Sequence, residues 1–257
     1  MARRSEIAAI YGAGLMQGVA LVTFPAASAI FTSASQYGLS STQYGGMFVP
    51  QAIAAVGSSL LGAGLTRGLG AKRIYLLGLA ANLLAMALLV ASRFVINEQE
   101  LAYTVLLGAT GCLGVGFGLT VPTRNTCAAA CGPLKTDRAV LVLNALLGVG
   151  TALAPVLVAL FTGLGIWWGL PLLVVLLLAA LLFGTTRTAL QLPVRRASAA
   201  GRVPSRFWAY AMVAILYGVA ETLCGNWSTL YLTTARGVPA GYAALALTAF
   251  WVSVTLG

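Results

Sequence analysis

Long, uninterrupted apolar segments recur along the whole chain. Two of them, IYLLGLAANLLAMALLVA (74–91) and LPLLVVLLLAALLFG (170–184), approach or exceed the length of helix that crosses a bilayer. The mean hydropathy of +0.93 and the charged fraction of 8% lie outside the range of water-soluble domains. The runs are continuous rather than alternating, which disfavours a transmembrane β-barrel. The sequence therefore predicts an all-α polytopic membrane protein.

Eight spans are predicted, and each must be helical because lipid cannot satisfy free backbone amides. They lie near 7–31, 43–66, 73–92, 101–123, 139–161, 167–186, 207–232 and 240–257. A cleaved signal peptide is the alternative for the first span, since Arg3, Arg4 and the later AASA imitate one. The apolar run is longer than a typical signal core, which favours a span.

The distribution of the charges that give the net charge of +10 indicates membrane topology rather than a nucleic-acid-binding surface. Thirteen of the fifteen cations fall on one side of the predicted spans, and only Arg93 and Arg236 fall on the other. This is the positive-inside pattern, and it predicts a cytoplasmic N-terminus with basic loops near anionic lipid heads. Arginine outnumbers lysine thirteen to two and Ala and Gly are abundant, which suggests a GC-rich bacterial genome and an inner (cytoplasmic) membrane.

The organisation along the chain suggests two bundles. A six-helix unit (1–186) is followed by a basic linker (187–206) and by two further helices (207–257). The pair Tyr11-Gly12 matches Tyr217-Gly218, which indicates a six-helix unit repeated in parallel, a known transporter plan. On that plan the chain is C-terminally incomplete; the alternative is a natural eight-span protein.

The segment GAGLTRGLGAKRIYLLG (62–78) resembles the loop signature of the major facilitator superfamily, roughly G-x-L-a-D-R-x-G-R-K/R. Leu65, Gly70 and Lys72 fall on matching positions, and Arg73 lies just beyond them. Gly68 and Ala71 stand where the family usually has Arg or a similar residue. Arg67 departs from the family, which has Asp there as part of a latch between its two halves. The resemblance implies a cytoplasmic gating loop.

The stretch NALLGVGTALAP (144–155) is similar to the Gly-rich span-5 pattern of the same superfamily. Gly148 and Gly150 let helices approach closely and Pro155 can bend the helix, so plain helix packing explains the same residues. Segments 108–150 and 217–232 resemble the fucose-permease-like sugar transporters. The resemblance implies twelve helices in two pseudo-symmetric bundles, with a central cavity opening alternately to each side.

Glu221 is an acid inside an apolar span. A charge at the bilayer centre costs about 2.5–3.5 kcal/mol on insertion scales, so the side chain is expected to face a cavity or a partner. Its role is either protonation and solute binding or a structural bond to a neighbouring helix. Tyr217 and Cys224 share its helix face, and Asn226 and Trp227 follow. Carboxylate, amide and aromatic groups suit a hydroxylated ligand, although Trp227 could equally belong to an interfacial belt.

Four further polar residues are candidates for the same site. Gln17 ranks above Gln51 and Asn144, because its span is the symmetry mate of span 7. Gln51 and Asn144 could each instead form an interhelical hydrogen bond. Asn82 is excluded, because span 3 lies outside the cavity in the fold that the resemblance implies. Arg124 either snorkels to the lipid surface, which we favour, or binds an anionic solute.

The sequence therefore predicts a secondary transporter of a small polar solute, with protons as a candidate coupling ion. The alternatives are a drug-efflux transporter of the same superfamily and a non-transporting scaffold or sensor. An enzyme is disfavoured because no histidine and no intramembrane carboxylate pair is present. No cofactor or metal is expected, and the four cysteines are interpreted as small buried hydrophobes.

Overall fold

The structure is a computed structural model that describes residues 4–130, 136–187 and 204–257. The regular secondary structure of these ranges is helical. The helices are α1 (Arg4–Ala26), α2 (Ser28–Thr32), α3 (Ser41–Gly46), α4 (Phe48–Leu69), α5 (Ala71–Ser92), α6 (Gln99–Ala130), α7 (Thr136–Gly163), α8 (Gly169–Arg187), α9 (Ser205–Thr234) and α10 (Ala240–Leu256), with a 3₁₀ turn at Arg93–Val95. Most of the basic linker, 188–203, lies outside the described residues.

Seven helical segments in the described part are long and apolar enough to cross a membrane. The eighth predicted span corresponds to α10, an apolar helix of 17 residues. The first span comprises α1 and α2, and the second comprises α3 and most of α4. The prediction of an all-α polytopic membrane protein is confirmed.

Successive spans run in opposite directions, so the bundle has two distinct ends. At one end Lys72 Nζ, near the start of α5, donates to the Thr186 carbonyl, near the end of α8, at 3.1 Å. We call this the basic end, and its described cations include Arg67, Lys72, Arg73, Arg187 and Arg206. We call the opposite end, where α5 finishes and α8 begins, the distal end.

Aromatic and polar contacts join three segments at the distal end. The Tyr37 and Ser92 hydroxyls hydrogen-bond at 2.6 Å, and the Tyr37 ring packs edge-on against Trp167 at 5.9 Å. Arg93 lies 4.6 Å from the ring centre of Trp168. These contacts bring the end of α5, the 33–40 connection and the start of α8 together.

Glycines set the closest helix crossings. A Cβ on Gly150 would collide with the Leu15 carbonyl oxygen and lie 3.0 Å from the Val19 nitrogen, so α7 and α1 meet backbone to backbone. Gly18 makes the reciprocal approach to α7. On α6, Gly114 faces the backbone of α4, whereas Gly116 faces Asn82 of α5. The LGVGFG run therefore allows α6 to lie between α4 and α5.

Candidate functional site

Glu221 lies on the side of α9 that faces the rest of the bundle. The less exposed positions of this helix recur as a stripe that contains Gly218, Glu221, Gly225 and Thr229. Leu223, on the opposite side, is 55% exposed. Glu221 is half-buried, and no hydrogen bond or ion pair to another described residue is observed for it. Its carboxyl group is therefore neither sealed in the core nor on the outermost face of α9.

The later half of α9 is fastened to the distal end. The Tyr44 hydroxyl of α3 donates to the Asn226 carbonyl at 2.6 Å, and the Tyr44 and Trp227 rings meet edge-on at 5.7 Å. A Cβ on Gly45 would lie 2.6 Å from the Trp227 ring, so the glycine makes room for the indole. Gly225 makes similar room for Trp251 of α10. We call the Tyr44, Gly45, Asn226 and Trp227 cluster the distal contact.

The first half of α9, toward the basic end, has no comparable attachment. Its side chains are exposed around the circumference of the helix, including Trp208 at 68%, Val213 at 65% and Tyr217 at 55%. Gly218 has no heavy atom within 4 Å of an added Cβ. Within the described ranges, α9 is thus anchored at its distal end and free along its basic-end half.

Gln17 lies in a buried polar cluster rather than along an open cavity. Its Nε2 donates to Asn82 Oδ1 at 3.2 Å, and its Oε1 accepts from Asn82 Nδ2 at 2.6 Å and from Thr120 Oγ1 at 3.0 Å. All three side chains are 1% exposed. The expectation that Gln17 lines a cavity does not hold in this structure. Asn82, excluded on the sequence, is its principal partner.

Arg124 is enclosed by protein. Its side chain is 2% exposed, on the face of α6 that also carries Thr120 one turn away. The prediction that this guanidinium snorkels to the lipid surface is wrong, because the side chain turns inward against α1 instead.

The remaining polar candidates lie on other helices. Gln51 of α4 is partly buried where Gly114 of α6 approaches its backbone, and its Oε1 has no hydrogen-bond partner among the described residues. Asn144 of α7 is exposed. Asn226 is partly buried, and its backbone carbonyl, rather than its side-chain amide, accepts the hydrogen bond from Tyr44. These residues do not form one cluster with Glu221 through any observed hydrogen bond of the described part.

The segment predicted as a gating loop is mostly helical. Leu65 and Arg67 lie in the last turns of α4, and Lys72 and Arg73 lie in the first turn of α5. Gly70 alone connects the two helices, with φ at 83°, a backbone conformation that other residues adopt only with strain. The connection is therefore a tight corner, and its cations Arg67, Lys72 and Arg73 lie at the basic end.

The small residues of α7 lie at helix contacts. Gly150 meets α1, as described above, and Gly148 faces the side chain of Thr255 on α10. Pro155 is buried within α7. Through these two glycines α7 contacts both the first helix and the last.

Two of the four cysteines can be placed. Cys112 is partly buried and Cys224 is exposed, so the interpretation of the cysteines as buried hydrophobes fails for Cys224. Cys131 lies outside the described residues, and the side chain of Cys127 is outside them as well. The described residues contain no group of His, Cys, Asp and Glu side chains that could hold a metal ion.

Sequence reasoning missed Thr120 and Tyr75 and set Asn82 aside. The signal for Thr120 was weak, because threonine is common in membrane helices and bonds to its own backbone, as Thr120 does to Gly116 at 2.7 Å. The spacing of Tyr75 and Asn82 on α5, two turns apart on one face, was the available clue.

Apolar helices joined by close glycine contacts, with cations concentrated at one end, define a polytopic α-helical integral membrane protein. Comparison with protein-family models, with curated proteins and with solved structures finds no match to the chain.

Proposed function

We propose that this protein is a secondary active transporter of the major facilitator type. It moves a small polar solute, a sugar or a similar metabolite, by alternating access, and protons drive the movement. It resides in a bacterial inner membrane, with the N-terminus and the basic end in the cytoplasm. The loop signature and the span-5 pattern support the family, and the charge distribution supports the orientation.

One observation carries this proposal: the acid of α9 faces the bundle on a helix that is anchored at one end only. A carboxyl group in a membrane span needs water, a proton or a partner. On this proposal, water reaches the half-buried Glu221 from the basic end, beyond the end of the distal contact. On this proposal, the distal contact and the exposed first half of α9 at the basic end correspond to a cytoplasm-facing state.

Flux measurements in proteoliposomes test the function directly. Solute uptake or counterflow is followed with and without a pH gradient, in the wild-type protein and in Glu221→Gln. We expect the gradient to accelerate flux in the wild type and to have no effect in Glu221→Gln, because glutamine cannot release a proton. A gradient response that survives the substitution removes Glu221 from coupling. Absence of flux for every solute tested favours a scaffold or sensor.

Cysteine labelling tests the position of the acid independently of any solute. In a background without native cysteines, Gly218→Cys reports the water accessibility of the stripe that contains Glu221. Leu223→Cys reports the water accessibility of the opposite face of α9. Maleimides react with hydrated thiols, since the thiolate is the nucleophile. We expect rapid labelling at 218 and slow labelling at 223. Equal, slow labelling at both sites contradicts a water-filled path to Glu221.

A further inference from the structure

A buried cation lies apart from the Glu221 stripe. The Arg124 side chain, only 2% exposed, packs where α6 approaches α1 and α7. A Cβ added to Gly14 of α1 would lie 3.4 Å from Arg124 Nη1 and 3.1 Å from the Leu143 side chain. Tyr75 of α5, 1% exposed, lies close enough to interact with the guanidinium electrostatically. Four helices thus surround one positive charge.

The guanidinium has unused hydrogen-bond donors. Its Nε and Nη1 atoms are buried and have no partner in the described part of the protein. Arginine keeps its charge in proteins, so it cannot escape desolvation by losing a proton. A buried charge without a counter-charge is strongly unfavourable, and native structures pair or hydrogen-bond such groups. We therefore expect the counter-charge of Arg124 to come from a group other than the described side chains.

We propose that Arg124 forms an internal anion site that binds the carboxylate of a small organic acid. A planar guanidinium matches the two oxygens of a carboxylate, which can accept from two donor nitrogens together. A halide offers one acceptor centre and lacks that geometry. A doubly charged phosphate would leave a second negative charge buried, since Tyr75, the described side chain that acts electrostatically on Arg124, is not a cation.

The place of the site in the bundle relates it to transport. Thr120, one helical turn from Arg124 on α6, donates to Gln17 of α1. An anion on Arg124 therefore lies next to the polar cluster that joins α1, α5 and α6. The anion site itself is argued from the geometry, whereas its use as a subsite for the transported solute rests on the proposed function. In that case the solute is a polar molecule with a single carboxylate.

Ligand-dependent thermal unfolding of the full-length protein in detergent tests the site without any transport. The probes are sodium acetate and sodium formate, with acetamide as the neutral isostere and sodium chloride at matched ionic strength. We expect a saturable rise in Tm with both carboxylates and none with acetamide or chloride, because a ligand that binds only the folded state stabilises it by mass action. Arg124→Gln is expected to abolish the rise. The control Arg187→Gln, an exposed cation at the same end, is expected to retain it.

Arg124→Lys covers the case in which Arg124→Gln does not fold. It keeps the charge but loses the planar fork, so acetate is expected to bind about tenfold more weakly. Unchanged acetate affinity in Arg124→Lys, or an equal response to chloride, overturns the carboxylate assignment. No response to either carboxylate overturns the anion site. Carboxylate binding without flux supports the anion site and contradicts the proposed transport function. Flux of a neutral sugar without carboxylate binding supports the transport function and contradicts the anion site.

Discussion

Gln17 and Asn82 form a reciprocal amide pair across α1 and α5, with Nε2···Oδ1 at 3.2 Å and Nδ2···Oε1 at 2.6 Å. Both side chains are buried, and neither reaches the surface of the bundle. Each amide satisfies the other in surroundings that offer few alternatives. The pair therefore fixes the lateral position of α1 against α5.

Gln17→Met leaves the buried Asn82 amide without this partner. Asn82→Leu leaves Gln17 Nε2 unsatisfied, whereas Gln17 Oε1 still accepts from Thr120. Gln17→Met and Asn82→Leu are each expected to lower the free energy of unfolding by about 1–3 kcal/mol. The double variant is expected to lose less than the sum, with a coupling of about 0.6 kcal/mol, the average for hydrogen bonds between membrane helices. Unfolding in mixed micelles measures the cycle, with exposed Gln36→Met as a control. Strictly additive losses contradict the pairing.

The sequence indicated which residues were unusual in this region but not how they pair. Gln17 and Asn82 stood out as amides within apolar runs, yet they are 65 residues apart and meet only because α1 crosses α5. Hydrophobic periodicity could not show which face of each helix points into the bundle, because apolar residues occur on all sides of the helices. The same ambiguity explains the error at Arg124: a long cation near a helix end can snorkel or turn inward, and helix rotation decides which.

Other features were accessible from local pattern alone. The positions and order of the long apolar helices followed from the apolar runs, because lipid imposes helical structure on each. The division of the first two spans into α1 with α2 and α3 with α4 did not. The distal contact between Tyr44 and Trp227 was not accessible, since it joins residues of different predicted units through the geometry of the bundle. Trp227 could be interpreted as a belt or a cavity residue, and in the structure it packs on α3.

The crossing of α1 and α7 depends on the absence of a side chain at Gly150. Gly150→Ala places a methyl group against the Leu15 carbonyl and the Val19 nitrogen, which are backbone atoms and cannot rotate away. We expect a loss of about 1–3 kcal/mol in the free energy of unfolding. Gly57→Ala on α4 is the matched control, because no heavy atom of the described residues of another element lies within 4 Å of its added Cβ. It is expected to be neutral or to stabilise by about 0.4–1 kcal/mol. Equal effects of the two substitutions contradict the close crossing.

Tyr37 makes the distal end sensitive to alkaline pH. Burial raises the pKa of Tyr37 from 10 to about 12, against the opposing effects of the Ser92 hydrogen bond and of Arg93. Between these values the unfolded chain has lost the phenolic proton and the folded protein has kept it, so stability falls as pH rises. The contribution is complete below pH 10 and is lost as pH rises through about 12.

Unfolding measured between about pH 9 and 11 tests this dependence in the wild type and in Tyr37→Phe. Phenylalanine keeps the ring contacts with Phe31 and Trp167 but has no proton to lose. The variant is expected to be less stable at neutral pH, because it lacks the Ser92 bond, and to have a shallower alkaline decline. Parallel pH profiles for the two proteins reject Tyr37 as the source of the decline.

The distal contact is expected to control access from that end. Trp227→Leu removes the ring that packs on Tyr44, and Tyr44→Phe removes the 2.6 Å bond to the Asn226 carbonyl. Losing a hydrogen bond worth about 1 kcal/mol raises the population of a detached α9 about fivefold.

The reporter is Thr229→Cys, a site only 2% exposed, in a background without native cysteines. Its labelling by a membrane-impermeant maleimide is expected to accelerate about fivefold in Tyr44→Phe and at least as much in Trp227→Leu. Trp208→Leu, on the free half of α9, is the matched control and is expected to leave the rate unchanged. If all three variants label at the wild-type rate, the distal contact does not hold α9 closed.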